Sequence, residues 1–159
     1  SWQQFILRKL SRAADARKII WVRDSTGNKG KSYLAKYIYL KFPKEVVVAT
    51  GKTQDINFQV QRLRESGGSV RIVIADIPRS YAKFLNYAAL EGLKNGFVVN
   101  SKYESDVHAF PIPHVVVFAN ILWDDSEMSR DRFLTIDLDK DMFWNTFTDE
   151  SQQSAHVGP

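Results

Sequence analysis

Lys31 and Ser32 close the stretch "DSTGNKGKS", residues 24–32. A glycine-containing turn ending in Gly-Lys-Ser suits phosphate chemistry. Backbone N–H groups of small residues converge on phosphate oxygens, the lysine reaches the β- and γ-phosphates, and the hydroxyl sits on Mg²⁺. Gly27 and Gly30 supply backbone freedom, and Ser25, Thr26, Asn28 and Lys29 complete the loop. The usual spacing asks for glycine at position 25, where this chain has Ser25. The triplet alone is common in surface turns, so its setting matters. Before it stands the apolar run "KIIWVR" (18–23), and after it "KSYLAKYIYLKF" (31–42). A helix starting there would turn its positive end toward the phosphates.

Two further residues extend this chemistry. Asp76 ends "VRIVIAD" (70–76), where a carboxylate could share the Mg²⁺ shell with Ser32. Its neighbours are Ala75 and Ile77, so a second acid for activating water must come from elsewhere, with Glu91 and Glu104 as candidates. Asn120 ends "HVVVFAN" (114–120), where a carboxamide could orient the water or sense the γ-phosphate. Taken singly, Asp76 reads equally as a cap and Asn120 as the start of a turn. His108, His114 and His156 lack metal-ligand spacing, and the chain has no cysteine.

The elements that must position these residues follow from periodicity. Trp2, Ile6, Leu10 and Ala13 predict an amphipathic helix over 2–15 with a basic outer face. Strands are predicted at 18–23, 45–49, 70–76 and 114–119, with a fifth at 132–138. Leu34, Ala35, Ile38 and Tyr39 mark one helix face. Ile56, Val60 and Leu63 mark a second helix, stopped by "SGG" (66–68). Tyr81, Leu85, Ala88 and Leu93 mark a third. Residues 97–110 read as a hairpin with a polar tip, and 145–159 as a loose polar tail. Val/Ile-rich strands alternating with helices predict an α/β fold, a mostly parallel sheet covered on both faces.

Composition sets broad limits. The 159 residues suit one domain, and their 44% apolar and 25% charged content is that of a globular chain. No apolar run approaches the roughly 20 residues that span a bilayer, so no membrane association is expected. The net charge of +4 is a modest lean toward polyanions.

In this order, "IIWVRDSTGNKGKS", "IVIADIPRS", "LKNGFVVNSKYES", "PHVVVFAN" and "SRDRF" resemble the helicase domain of replication-initiator (Rep) proteins of circular single-stranded DNA viruses. The nanovirus and alphasatellite type is the nearest, and the resemblance spans roughly residues 1 to 138. It implies a three-layer P-loop ATPase of the AAA+ class, superfamily 3, with a short N-terminal oligomerisation helix. The domain divisions it implies are 1–17 for that segment, 18–144 for the ATPase/helicase domain and 145–159 for the tail. It also implies ATP and Mg²⁺ as cofactors, a homo-oligomeric ring (a hexamer), movement on single-stranded DNA in rolling-circle replication, and a location in the host nucleus.

The resemblance assigns residue roles too. Gly27, Gly30, Lys31 and Ser32 match Walker A, Asp76 matches Walker B, and Asn120 matches the polar residue of motif C. Arg132 matches an arginine finger reaching a neighbour's nucleotide, with Arg130 as its competitor. Lys102, Lys94 and Tyr103 match a DNA-contacting hairpin, binding phosphates and stacking on a base. Lys52 in "TGKTQD" is a weaker candidate of the same kind. The family's N-terminal nuclease domain has no counterpart in this sequence, so the resemblance implies the motor half and no nicking activity. Two other readings fit the residues: a P-loop phosphotransferase acting on a small molecule, and a nucleotide-dependent assembly or DNA-binding module without turnover.

Overall fold

The computed structural model describes residues 1–49, 53–80, 85–99, 107–140 and 142–145. The helices are α1 (Trp2–Leu10), α2 (Lys31–Lys41), α3 (Thr53–Glu65) and α4 (Tyr87–Lys94). The strands are β1 (Ile19–Arg23), β2 (Val46–Ala49), β3 (Ile72–Asp76), β4 (Phe97–Val99), β5 (Val107–Ala109), β6 (His114–Ala119), β7 (Phe133–Asp137) and β8 (Met142–Asn145).

Six strands form one sheet in the order β2-β3-β6-β1-β7-β8. The first five are mutually parallel, and β8 is antiparallel to β7. The predicted α/β class, with a mostly parallel sheet between helices, is therefore what forms. β8 was not foreseen: the short run 142–145 carries little pattern, and pairing with β7 brings it into the sheet. β4 and β5 pair as a separate antiparallel hairpin between β3 and β6, with Phe97 opposite Ala109. These are the arms of the expected hairpin.

Strand alternation splits the core into two layers. Ile19, Trp21, Val73, Ala75, Val115 and Val117 face α3 and α4, packing with Ile56, Val60, Leu90 and Leu93. Ile20, Val22, Ile72, Ile74, Val116 and Phe118 face α1 and α2, packing with Ile6, Leu10, Leu34 and Ile38. Both faces of each central strand are buried, which explains why the strands read as continuous apolar runs. The outer edge of β2 is blocked by Gln59, whose carboxamide both accepts from Val48 N (2.8 Å) and donates to Val48 O (2.6 Å). At Val48 the edge therefore has no free backbone groups for a further strand.

Three helix expectations change in detail: of the third, Leu85 lies before α4, which begins at Tyr87, and Tyr81 lies outside the described residues. α1 is capped at Ser1, whose hydroxyl accepts from Gln4 N, and it ends at Leu10 rather than continuing to Asp15. Beyond it the Asp15 carboxylate accepts the amides of Arg17 and Lys18 (both 2.8 Å), a turn that redirects the chain into β1. On α2, Leu34 and Ile38 are buried, whereas Tyr39 is exposed.

The helix expected to serve oligomerisation buries its apolar stripe inside its own chain. Trp2, Ile6 and Leu10 lie against the sheet beside α2. Ile6→Ala should therefore cost about 2–4 kcal/mol of folding stability, read from denaturant unfolding. A loss below about 1 kcal/mol would mean that α1 is not part of the core.

Candidate functional site

Parallel register brings the candidate residues to one edge. Arg23 is level with Ala119 of β6 and Asp137 of β7, and Asp76 is level with Phe118. The carboxyl ends of β1, β3, β6 and β7 thus lie side by side. The loop 24–30 leaves β1, Asp76 ends β3, and Asn120 follows β6, which lies between those two strands. Ligands of parallel α/β sheets bind in the crevice at this edge.

The loop owes its shape to left-handed backbone at Gly27 (φ 82°), Asn28 (φ 64°) and Gly30 (φ 91°). Glycine takes such angles without strain, and asparagine tolerates them. Ser25 is not among them, so this turn needs no glycine at position 25. Instead Ser25 N donates to Asp139 Oδ1 (3.0 Å), and Ser25 O accepts from Arg79 (2.8 Å). Lys29 Nζ donates to Leu138 O (3.0 Å), so the turn after β7 clasps the loop from outside. From the other side Gln3 of α1 donates to Gly30 O (3.2 Å). A Cβ on Gly30 would stand 2.5 Å from the Gln3 amide nitrogen. Gly30 gives α2 no side-chain cap, so the first-turn amides are left for another acceptor.

Lys31 extends from the first turn of α2 back to Asp24, donating to Asp24 O (2.9 Å) with the carboxylate Oδ2 at 3.4 Å. Asp24 was missed by the sequence reading, and its only signal was a carboxylate directly before the loop. Burial works against its ionisation, but the amides of Gly27 and Thr26 and the charge of Lys31 outweigh this and hold its pKa below the ordinary value. Asp76 behaves oppositely: desolvation raises its pKa, with Lys31 opposing the rise. Asn120 Oδ1 is buried without a hydrogen-bond partner. An orphaned acceptor beside the loop is suited to a ligand or water.

A divalent cation fits the donor set here. Ser32 is exposed at the start of α2, and Asp76 is exposed at the end of β3. Two oxygen donors suit Mg²⁺, which keeps most of its water. Among the described residues no group of three or more His, Cys, Asp or Glu could form an all-protein metal cage.

Several expected residues lie elsewhere. Arg132 was expected as an arginine finger reaching a neighbour's nucleotide; in this chain it is 7% exposed. It donates to Glu91 Oε1 (3.0 Å) and to Arg17 O (3.1 Å). Arg130 is the outward one, its side chain 72% exposed and 3.8 Å from Asp125. Lys94 was expected to contact DNA, but it is 1% exposed and donates to Asp15 O (2.6 Å) and Pro113 O (2.9 Å). Glu91 was a candidate second acid. Through Arg132 it sits at the amino edge of the sheet, where Phe133 is level with Ile19, opposite the phosphate loop.

One cause accounts for the inward placement of Arg132 and Lys94. The connector between α1 and β1 has carbonyls without strand or helix partners, and such groups need donors. His114 contacts Arg12 O (2.7 Å), Lys94 takes Asp15 O, and Arg132 takes Arg17 O. Lys52, Lys102, Tyr103 and Glu104 lie outside the described residues.

The sheet and its flanking helices define an α/β domain, compatible with a P-loop-like organisation. No protein-family model matches the chain. Individual relatives do. The chain is 37% identical over 140 residues to Para-Rep C6 of Subterranean clover stunt C6 alphasatellite, covering 85% of this chain and 46% of the relative. It is 34% identical over 143 residues to Para-Rep C9 of Faba bean necrotic yellows C9 alphasatellite, covering 86% and 47%. It is also 34% identical over 130 residues to the master replication protein of Subterranean clover stunt virus (strain F), covering 82% and 43%. Over most of its length the chain is similar to these replication proteins, consistent with a Rep-like domain, and it spans a little under half the length of the curated relatives it matches.

Burial of Lys94 has a measurable consequence. Desolvation lowers its pKa from the ordinary 10.5 to about 8. Between those values the unfolded chain holds more protons than the folded one, so stability should rise with pH there, by on the order of 1 kcal/mol per pH unit. Below pH 8 the full cost of the buried charge remains. Lys94→Met should flatten this slope in unfolding measurements from pH 8 to 10.5. An unchanged slope would mean that other groups produce it.

Proposed function

We propose that the domain is the ATP-hydrolysing motor of a viral replication protein. It would use ATP and Mg²⁺ to move on single-stranded DNA in rolling-circle replication, as a superfamily 3 helicase within the AAA+ class. The observation that carries this reading is the meeting of Lys31, Asp76 and Asn120 at one sheet edge, around a loop with left-handed Gly27, Asn28 and Gly30. The relatives named as replication proteins support the biological setting.

In this mechanism the uncapped first turn of α2 and the loop amides hold the phosphates, and Lys31 moves from Asp24 onto the β- and γ-phosphate oxygens. Ser32 and Asp76 would hold Mg²⁺, which supplies neutralisation of phosphate charge. Asn120 Oδ1 accepts a hydrogen bond from the attacking water and aligns it. Of the two arginines considered for a finger, Arg130 is the one whose side chain reaches solvent, so it is our candidate for acting on a neighbouring subunit in a hexameric ring. Lys102 and Tyr103 remain our candidates for the DNA hairpin. The host nucleus is the proposed location.

A second reading, a nucleotide-dependent assembly or DNA-binding module without turnover, draws on two observations. Asp24 engages Lys31, and Asp76 has no adjacent acid.

ATP hydrolysis measured with and without single-stranded DNA, over a range of protein concentrations, tests these readings. The motor predicts turnover that rises with DNA and more steeply than linearly with protein, and that Lys31→Ala abolishes. Nucleotide binding without turnover would select the second reading. Turnover indifferent to DNA would favour a small-molecule phosphotransferase.

The finger assignment has its own test. Arg130→Ala should bind ATP yet hydrolyse it at least about 10³-fold more slowly. Mixing it with Lys31→Ala should restore part of the rate. Arg132→Ala should instead lower the melting temperature, and the reverse pattern would return the finger to Arg132.

A further inference from the structure

Asp24 directly precedes the loop and sets a buried carboxylate against Lys31. Its backbone N donates to Ala119 O (3.0 Å), which anchors it between β1 and β6. Its side chain is 1% exposed. Carboxylate Oδ1 accepts from Thr26 N, Gly27 N and Thr26 Oγ1, each at 3.1 Å. Oδ2 has no hydrogen bond, and its compensation is the Lys31 ammonium at 3.4 Å. The ion pair exists without an aligned bond because Lys31 Nζ points at Asp24 O (2.9 Å).

We propose that Asp24 is a positioning residue that competes with bound phosphate for the loop amides and for Lys31, and so holds nucleoside triphosphate affinity low. The inference rests on the phosphate-loop reading above. Two physical facts drive it. Loop amides that serve a carboxylate are not available to a phosphate oxygen, and Lys31 cannot move to the phosphates without stripping a buried charge of its partner. A buried carboxylate left unpaired is costly. Like charges brought together in a poorly solvated site repel strongly.

Asparagine separates charge from shape. Asp24→Asn keeps an acceptor for Thr26 N and Gly27 N while removing the charge that engages Lys31 and repels phosphate. Binding of a fluorescent ATP analogue, displaced by unlabelled ATP and by inorganic pyrophosphate, would be measured for wild type, Lys31→Ala, Asp24→Asn and Asp24→Ser, with melting temperatures alongside. The expectation is roughly tenfold tighter binding of both ligands by Asp24→Asn, equivalent to about 1.4 kcal/mol. Asp24→Ser, which also offers an oxygen without charge, should shift affinity in the same direction and guards against a fold defect in the first variant. Affinity unchanged or weakened in the folded variants would overturn the inference and leave Asp24 a purely structural loop anchor. If neither wild type nor Asp24→Asn binds either ligand, or Lys31→Ala binds as well as wild type, the phosphate-loop reading itself falls and takes this inference with it.

Discussion

β1 is hydrogen-bonded in parallel on both sides, to β6 and to β7, and the site depends on that central placement. A strand in the middle of a parallel sheet must be buried on both faces, hence Ile19, Ile20, Trp21 and Val22 in succession. Its carboxyl end then opens between two neighbours whose own ends lie level with it. The loop that follows inherits a floor on either side. Asn120 arrives from β6, and Asp137 and Asp139 come from β7 and the turn beyond.

That edge brings several charges together. Arg23 lies 3.2 Å from Asp137 and 3.4 Å from Asp139, while Lys31 lies 3.4 Å from Asp24. Asp24 and Asp137 are almost fully buried. Each is tolerable only because a cation or an amide faces it. The turn after β7 therefore does more than reverse the chain toward β8. Through Asp139 and Leu138 O it grips Ser25 and Lys29, while Asp137 at the end of β7 compensates Arg23. The loop is held from α1 by Gln3 and from the segment after β3 by Arg79. A change in the loop has direct mechanical contact with three parts of the fold.

The opposite edge shows how basic residues acquire structural duties. Between Ser11 and Arg17 the chain forms no helix or strand, and donors from β6, α4 and the turn before β7 reach its carbonyls. Long cationic side chains do this well, since each carries several N–H groups at the end of a flexible stem. The same chemistry makes Lys94 and Arg132 resemble phosphate ligands in a linear reading. Burial distinguishes the two uses, because a lysine serving carbonyls is enclosed whereas one serving a nucleic acid must reach solvent.

By itself, the sequence determined the local and periodic features. The apolar runs at 18–23, 70–76 and 114–119 read as buried strands, and Gly27 and Gly30 before Lys31, set between such a strand and a helix, pointed to a phosphate-type turn. The order of these pieces carried the family resemblance. These features were legible because each rests on neighbours in the chain: side-chain alternation, backbone freedom, helix starts. Tertiary structure alone decided which residues meet. It placed β6 between β1 and β3, brought Asp24 onto Lys31 and its own loop amides, and closed the Asp139 turn over Ser25. It also turned Arg132 and Lys94 inward while leaving Arg130 outside. The physical reason is that a charged side chain reads the same in sequence whether it faces solvent, a phosphate or an orphaned carbonyl. Only packing determines which partner lies within about 3 Å, the reach of a hydrogen bond.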